Sequence, residues 1–536
     1  MKLTSTAAQT ANTPRRVCPK MTTLTPLASR SLPRRRLSGT TCKAAQSKTV
    51  NAASAVPQEQ VPQEEVDVPF SSFEELEAGS SLDDDVVRFL PPPEARPGAV
   101  DRTNFACDDS CDFWTEWTYS DLPGGGGVES LLDQLRALQS SATSTEAFTY
   151  WGYHIARTLF FTVQGAAGLV YSRGGMARNP FTQARVGNTG NQVSSESTLT
   201  ADGGDAADSL DASLGVSTIA RLVAETIAAY RIDLKRIEAG YFKAPYDMNP
   251  AHRQFNPLYV ADKARRFFDE ANRTLERAEK GAAGNVQAPI GSNESLYPEY
   301  YRHAFHYQSD GWLSTWSAKV YETSTETLFL GRQDSMQRSS LVPLGKFLKS
   351  PSFGATGEGA RVLEIAAGTG RFATFVRDSY PGVDMTVTDL SPYYLEEARE
   401  NGSYWESLQV GKSVGPASYV QANAESLPFE EASYDAVVSV YLFHELPADA
   451  QDAVFREAYR VLKPGGIFVL TDSQQLGDRP ATDKTIGLFG DFAEPYYRAY
   501  IRRDFGALGK EMGFTCEEKC QNSSSKTVSF RKPSME

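Results

Sequence analysis

Residues 361–370 read RVLEIAAGTG, a short apolar run followed by a glycine-rich turn. The run predicts a buried strand, and the residues from Arg371 onward predict a helix. Gly368 and Gly370 let the backbone turn tightly and approach a ligand without interference from a Cβ atom. The helix that follows would present free N–H groups and the positive end of its dipole to that ligand. The stretch therefore predicts a ligand-binding turn at the end of a parallel strand.

An acidic residue follows at the end of the next predicted strand. Asp389 stands about 20 residues after Gly368, where a carboxylate can accept hydrogen bonds from the ribose hydroxyls of an adenosine ligand. Gly368, Gly370 and Ala373 also satisfy the relaxed fingerprint of dinucleotide-binding proteins. An NAD(P)-dependent oxidoreductase is therefore an alternative. Glu364, inside the first strand, argues against it, because a negative charge there does not help to bind a pyrophosphate. A carboxylate suits a ligand with an ammonium and a sulfonium group.

The chain after Arg361 alternates short apolar runs with helical patterns, which is typical of a parallel α/β sheet. Residues 434–439 predict a further strand, and residues 459–466 end in the turn before another. With these motifs in order, the stretch from about 360 to 475 resembles the class I S-adenosylmethionine-dependent methyltransferases. Within them it is most similar to the ubiquinone/menaquinone C-methyltransferase group. Two further segments, residues 297–312 and 494–497, look more weakly like uncharacterised plastid and cyanobacterial members of that family.

The resemblance implies a Rossmann-like, seven-stranded α/β sheet with flanking helices over residues 296–533, and S-adenosyl-L-methionine as the cofactor. Ala366 replaces the first glycine of the family's glycine-rich motif, and Asn423 replaces the usual aspartate of its adenine-flanking loop. Carried over residue by residue, the family's cofactor site comprises Glu364 at the methionine end, Ala366, Gly368 and Gly370 in the turn, Asp389 and Leu390 at the ribose, and Asn423 and Ala424 beside the adenine.

Two candidate catalytic residues follow the predicted strand 434–439, at the carboxyl edge of the sheet where such sites occur. His444 has an ordinary pKa suited to proton transfer. Tyr441 lies three residues earlier. The alternatives are a structural role for His444 in the loop and a role for Tyr441 as a wall of the pocket.

The N-terminal region is predicted to be a targeting segment. Residues 1–57 contain ten Lys and Arg, 16 Ser and Thr, and no acidic residue. This composition, without a long apolar core, is typical of an organelle transit peptide. The Ser/Thr content favours the chloroplast stroma, with the mitochondrion as the alternative. Residues 58–103 form an acidic, Pro-rich linker.

Residues 104–250 are predicted to form a helical domain of unknown role. Apolar residues from Val128 to Leu138, within 145–164 and within 216–237 recur at steps of three and four, which predicts core-facing stripes. A protein partner of this domain is one hypothesis for its role. An aromatic-rich segment over residues 297–316 is a candidate lid over an apolar acceptor, and ordinary packing explains it equally well.

Composition excludes several classes of function. A net charge of −13 argues against binding nucleic acid by neutralising its phosphates. The apolar stretch between Arg157 and Arg173 is shorter than the about 20 residues of a spanning helix, so no integral membrane segment is expected. His303 and His306 lack further ligands at suitable spacing, and no metal site is predicted. The sequence thus predicts a methyltransferase that acts on a small, hydrophobic acceptor in the plastid, such as a quinone or a pigment precursor. A non-catalytic methyltransferase-like binding or assembly protein is the second alternative.

Overall fold

A computed structural model of the chain describes residues 116–118, 128–171, 216–279, 296–302, 308–476, 478–479, 486 and 494–534. The predicted transit peptide and the linker over 58–103 lie outside these residues. Residues 172–215, which precede the third predicted helix, also lie outside them.

The described strands form one twisted sheet of eight strands in the order β4-β3-β2-β5-β6-β8-β7-β1. Strand β8 is antiparallel to both neighbours, and the other pairs are parallel. The seven strands β2 to β8 are the Rossmann-like sheet that the resemblance implies, and β1 adds a short eighth strand beside β7. The strands are β1 Glu116–Thr118, β2 Arg361–Ile365, β3 Asp384–Asp389, β4 Ala417–Gln421, β5 Tyr434–Val440, β6 Leu462–Ser473, β7 Thr515–Asn522 and β8 Ser525–Arg531.

Twelve α-helices are described, and 3₁₀ turns lie at Tyr246–Met248, Arg253–Phe255, Glu299–Arg302, Arg338–Ser340 and Phe443–Glu445. The helices are α1 Val128–Ser141, α2 Thr145–Tyr171, α3 Val216–Glu238, α4 Pro257–Glu279, α5 Thr315–Leu328, α6 Gln333–Gln337, α7 Leu341–Leu348, α8 Arg371–Ser379, α9 Pro392–Ser407, α10 Ala448–Val461, α11 Tyr497–Tyr500 and α12 Phe505–Glu511. None of the described helices combines the length and hydropathy needed to cross a lipid bilayer.

Hydrophobic cores cover both faces of the sheet, which explains why its central strands read as continuous apolar runs. Along β2, Leu363 and Ile365 pack into one core with Phe455 and Phe468. Val362 points to the other face and packs into the second core. This alternation places Glu364 on the same face as Val362.

The predicted helical region over 104–250 contributes the helices α1, α2 and α3 and also the strand β1. Because β1 pairs with β7, this region is joined to the sheet. Arg338 and Asp233, on either side of the contact, form a buried ion pair of 2.6 Å. Arg479 and Glu225 form a second one of 2.6 Å. Removing one partner of a buried ion pair is costly, because it leaves the other charge buried and unpaired. These pairs therefore hold the helices at a defined position relative to the sheet.

The stripe predicted on α1 does not face the core as a whole. Leu131 and Leu138 pack against the core formed with α3. Val128, Leu132 and Leu135 are about half exposed. The seam runs instead through small and polar residues beside the stripe, including the buried Ser130 and Gln134, because α1 meets α3 on a face rotated from the apolar one.

Candidate active site

A cavity of about 450 Å³ opens at the carboxyl ends of β2, β3, β4 and β5. Its size falls within the range of about 300–1,000 Å³ that is common for small-molecule sites. Helices α2, α4 and α5 complete it on the side away from the sheet. Seven of the eight residues predicted to bind the cofactor line it: Glu364, Ala366, Gly368, Asp389, Leu390, Asn423 and Ala424.

The glycine-rich turn that forms the floor has three residues in the left-handed region. Ala366, Gly368 and Gly370 have φ values of 52°, 57° and 68°. Gly368 is open on its Cβ side, with Tyr394 only at 4.0 Å, so a ligand can approach its backbone. A Cβ at Gly370 would lie 2.8 Å from the Cβ of Ala398 on α9. Gly370 does not line the cavity, and its place in the turn is explained by close helix packing.

Asp389, at the end of β3, is bound to the glycine-rich turn by a hydrogen bond. Its Oδ2 accepts the N–H of Gly368 at 2.8 Å, and its Oδ1 accepts the N–H of Ser391 at 2.7 Å. Burial raises the pKa of Asp389 to about 7, although these backbone hydrogen bonds oppose the shift. The two bonds fix the carboxyl group at the edge of the cavity.

Glu364 is the most deeply buried of the cavity carboxyls, with 1% of its surface exposed. Burial, and then the charge of Asp389, raise its pKa well above the ordinary value. Its Oε2 has no hydrogen-bond partner among the described residues. An unpartnered buried carboxyl oxygen is costly, and a ligand with a cationic group would relieve that cost. Glu364, beside the open backbone of Gly368, therefore fits S-adenosylmethionine better than a pyrophosphate.

Asn423 and Ala424 line the cavity beyond β4. The Oδ1 of Asn423 accepts the N–H of Glu425 at 2.9 Å, and its Nδ2 donates to Glu425 Oε1 at 3.3 Å. The hydroxyl of Tyr300 donates to the same Oε1 at 2.6 Å. Glu425 also lines the cavity, so a carboxylate stands two residues from the position where Asn423 replaces aspartate. This contribution of Glu425 was not predicted from the sequence.

His444 does not line this cavity. It lines a second one of about 80 Å³ and contacts Asp472, with Nδ1 at 2.6 Å from Oδ1. Burial alone would lower the pKa of His444, but the charge and hydrogen bond of Asp472 outweigh it and raise the pKa to about 9. Imidazolium held in this way is poorly suited to accept a proton near neutral pH. The geometry favours the structural alternative for His444.

Tyr441 lines both cavities and forms part of the wall between them. Its hydroxyl contacts Ser525 Oγ at 2.7 Å, and burial raises its pKa. Its φ is 59°, an unfavourable conformation for an aromatic residue that the surrounding structure must maintain. Tyr441 is thus held at the cavity by strained backbone.

Of the aromatic residues proposed as a lid, Tyr300, Tyr301 and Trp312 line the cavity. Trp316 does not, since its indole N–H donates to Glu270 Oε2 at 2.6 Å on α4. The other candidates, at positions 305 and 307, and the two histidines nearby lie outside the described residues.

A buried ionic cluster lies at the helical side of the cavity, and no sequence motif predicted it. Arg371, directly after the glycine-rich turn, donates to Asp334 Oδ2 at 2.7 Å, and Arg157 of α2 donates to the same oxygen at 2.9 Å. Burial opposes ionisation of Asp334, but the two arginines outweigh it and hold its pKa below the ordinary range. Thr369 donates to Glu322 Oε1 at 2.8 Å, which joins the turn to α5.

Comparison with known proteins identifies the family. A family model described as a methyltransferase domain matches residues 362–466. The chain is 30% identical over 183 residues to the uncharacterized methyltransferase sll0829 of Synechocystis sp., covering 34% of this chain and 76% of that protein. It is 31% identical over 188 residues to the ubiquinone/menaquinone biosynthesis C-methyltransferase UbiE of Rhizobium leguminosarum bv. trifolii, covering 35% and 66%.

Two further matches are more distant. The fatty-acid O-methyltransferase of Mycolicibacterium smegmatis is 28% identical over 157 residues, covering 29% of this chain and 52% of that protein. The crystal structure of a SAM-dependent methyltransferase from Aquifex aeolicus is 15% identical with a TM-score of 0.27, covering 37% of this chain and 93% of that one. The relatives from Synechocystis and Rhizobium show that the cofactor is S-adenosylmethionine rather than NAD(P), and that the chain belongs to the class I S-adenosylmethionine-dependent methyltransferases.

Proposed function

We propose that this methyltransferase transfers a methyl group to a small, hydrophobic acceptor that binds in the 450 Å³ cavity. The observation that carries the proposal is the continuity of the cavity, which runs from the glycine-rich turn to aromatic side chains of the helices α2 and α4. Among these are Phe160 and Phe161 on α2 and Tyr259 on α4. An apolar wall with a few polar groups is typical of sites for small organic ligands.

The chain's own residues would position the reactants. S-adenosylmethionine supplies an activated methyl group when it is bound. Glu364 would hold the cationic amino-acid end, Gly368 would allow close backbone approach, and Asp389 would accept from the ribose hydroxyls. The fixed positions of these groups allow orientation to supply a large part of the rate enhancement, up to about 7–11 kcal/mol.

The names of two relatives support a small-molecule acceptor. One is a C-methyltransferase of ubiquinone/menaquinone biosynthesis, and the other is a fatty-acid O-methyltransferase. Both names refer to small lipophilic molecules rather than to proteins or nucleic acids. The net charge of −13 agrees with this, since it is unfavourable for binding nucleic acid.

Cofactor binding is the first test. We expect calorimetry to detect binding of S-adenosylhomocysteine to the full chain, and we expect Asp389→Ala to weaken it at least tenfold, about 1.4 kcal/mol. NADH is the matched control ligand and should give no heat of binding. Binding of NADH instead would contradict the assignment of the site.

Transfer of a radioactive methyl group from S-adenosylmethionine tests the acceptor class. The protein is incubated with a plastid extract, which is then separated into organic-soluble, protein and nucleic acid fractions. We expect the label in the organic-soluble fraction, and we expect it to be absent with Asp389→Ala. Label in the protein or nucleic acid fraction would overturn a small hydrophobic acceptor.

We also propose that the protein acts in the plastid. The basis is the composition of residues 1–57, with ten basic residues, 16 Ser and Thr, and no acidic residue. A fluorescent protein fused after residue 57 should be imported into chloroplasts. Import into mitochondria would favour the alternative organelle.

A further inference from the structure

The half of the cavity away from the glycine-rich turn, here called the helical half, is formed by segments outside the family's motifs. Helices α2, α4 and α5, together with the turn Arg253–Phe255, supply its walls. The predicted cofactor residues all belong to the other half, at the ends of the strands. If the cofactor occupies the ends of the strands, as the proposed function requires, the helical half is free to bind the methyl acceptor.

The helical half has an apolar wall that reaches the surface. Phe160 and Phe255 line the cavity and are 40% and 49% exposed. Phe161, also lining the cavity, is buried. Tyr153 and Tyr259 extend the aromatic wall. This wall fits the apolar body of a ligand that enters from the surface.

Three buried polar side chains line the same half: Gln164, Glu326 and Gln333. Each keeps one side-chain oxygen without a hydrogen-bond partner among the described residues. The Nε2 of Gln164 already donates to Thr327 Oγ1 at 2.7 Å, so its oxygen is the group left over. The other oxygen of Glu326 pairs with Arg157 at 2.7 Å. The unpartnered groups in this half are therefore hydrogen-bond acceptors.

Arg157 and Arg371, two of the arginines that line this half, are already paired with protein carboxylates, whereas Arg253 donates to the amide oxygen of Asn401. Arg157 pairs with Glu326 at 2.7 Å and with Asp334 at 2.9 Å. Arg371 pairs with Asp334 at 2.7 Å and with Asp247. These two guanidinium groups therefore bind a ligand only if a protein carboxylate is displaced, which is costly.

We propose that the helical half is the acceptor subsite, and that it selects an acceptor with an apolar body and hydrogen-bond donors. The donors would bind the oxygens of Gln164, Glu326 and Gln333. Sites built to hydrogen-bond a substrate O–H or N–H strongly reject analogues that lack it, because the buried protein groups are then left unpaired. This inference rests on the proposed function, which places the methyl donor in the other half of the cavity.

Calorimetry on the full chain, saturated with S-adenosylhomocysteine, tests the selectivity with two probes of one shape. They are 2,7-dihydroxynaphthalene and 2,7-dimethoxynaphthalene. Measured at about pH 8, where the Glu326 carboxyl is mainly ionised, the diol should bind at least tenfold more tightly than its dimethyl ether. Equal or tighter binding of the dimethoxy probe would overturn the inference, as would no binding of either probe.

Matched Gln→Leu variants test the residues. Gln164→Leu and Gln333→Leu should each weaken binding of the diol at least fivefold. Gln134→Leu is the control, because Gln134 is also buried with an unpartnered Oε1 but lies on α1 and does not line the cavity. An unchanged diol affinity in both cavity variants would overturn the assignment of these residues.

Binding of S-adenosylhomocysteine, measured first in every variant, distinguishes a failure of the acceptor inference from a failure of the proposed function. If it binds normally and the probe pattern fails, the acceptor inference is wrong and the proposed function stands. If the wild-type chain does not bind it, the proposed function itself fails. Retained binding also shows that each variant is folded.

Discussion

Ala366 stands where the family's motif has its first glycine, and its backbone shows what the replacement costs. Its φ of 52° lies in the left-handed region, which costs an L-residue with a side chain about 1–2 kcal/mol. The turn is maintained nonetheless, since the N–H of Ala367 donates to Thr388 O at 2.8 Å and that of Gly370 donates to Ala367 O at 2.9 Å. The structure therefore preserves the geometry of the motif with a strained residue.

We expect Ala366→Gly to raise the free energy of unfolding by about 0.5–1 kcal/mol. Relief of the left-handed strain exceeds the entropic cost of glycine in the unfolded chain, which is about 0.5–1 kcal/mol. Urea unfolding measures the change. Ala367→Gly is the matched control, because Ala367 is not among the residues with positive φ, and it should be destabilising. A destabilising Ala366→Gly would contradict the argument.

Asp389 gives the cofactor site a pH dependence. With a pKa of about 7 in the ligand-free protein, it is mainly protonated at about pH 6 and mainly ionised at about pH 8. Ribose hydroxyls donate to the ionised form, so affinity for S-adenosylhomocysteine should rise about tenfold between these pH values. Calorimetry across this range measures it. Asp389→Asn should bind more weakly and lose most of the dependence, and a flat wild-type profile would contradict the prediction.

Sequence spacing was sufficient to bring Glu364, Gly368 and Asp389 together. The carboxyl ends of neighbouring parallel strands meet at one edge of the sheet, so residues far apart in sequence converge there. Spacing was not sufficient for Gly370, because a motif does not state whether a glycine faces a ligand or a helix. The contact with Ala398 of α9 depends on how that helix packs.

At the scale of the element, the segment after β5 is held by β6. Asp472, near the end of β6, accepts the N–H of Phe443 at 2.7 Å and contacts His444 at 2.6 Å. Glu445 and Glu494 also raise the pKa of His444 by their charge. His444 thus anchors this segment to the neighbouring strand.

The His444 contact should make stability depend on pH. The pKa of His444 rises from an ordinary 6.5 to about 9 on folding. The stabilisation is therefore complete below about pH 6.5 and is lost as the pH rises through 9. The loss is on the order of 3 kcal/mol, which urea unfolding at several pH values would measure. His444→Asn should remove this slope, and an identical slope in the variant would refute the assignment.

Helix prediction depended on whether an apolar stripe is present. Helix α3 has one and was predicted at nearly its observed bounds. Helix α4 was missed because ten of its 23 residues are charged. Part of its surface is occupied by ion pairs within the helix, such as Arg265 with Asp269 at 2.9 Å and Arg266 with Asp262 at 2.7 Å. Such pairs support a helix without producing an apolar periodicity.

At the scale of the whole molecule, the buried ionic cluster joins the helical region to the sheet. Asp334 accepts from Arg157 on α2 and from Arg371 at the start of α8. Its sequence separation from Arg157 is 177 residues. Charged residues so far apart form no motif, so their meeting follows only from the tertiary packing. This explains why the sequence predicted the cofactor half of the cavity and not the helical half.

We expect Asp334→Asn to lower the free energy of unfolding by about 3–5 kcal/mol, because it removes the carboxylate that two buried arginines share. Urea unfolding followed by circular dichroism measures the loss. Hydrogen exchange should become faster in α2, which Arg157 joins to Asp334, more than in the central strands of the sheet.

The control is Glu396→Gln, which removes an ion pair with Arg399 on the surface of α9. Its two side chains are 57% and 49% exposed, and exposed pairs contribute at most about 1 kcal/mol. If Asp334→Asn costs no more than this control, the cluster does not hold the two regions together. A large loss confined to α2 would show that the acceptor half of the cavity depends on this one carboxylate, while the sheet half folds without it.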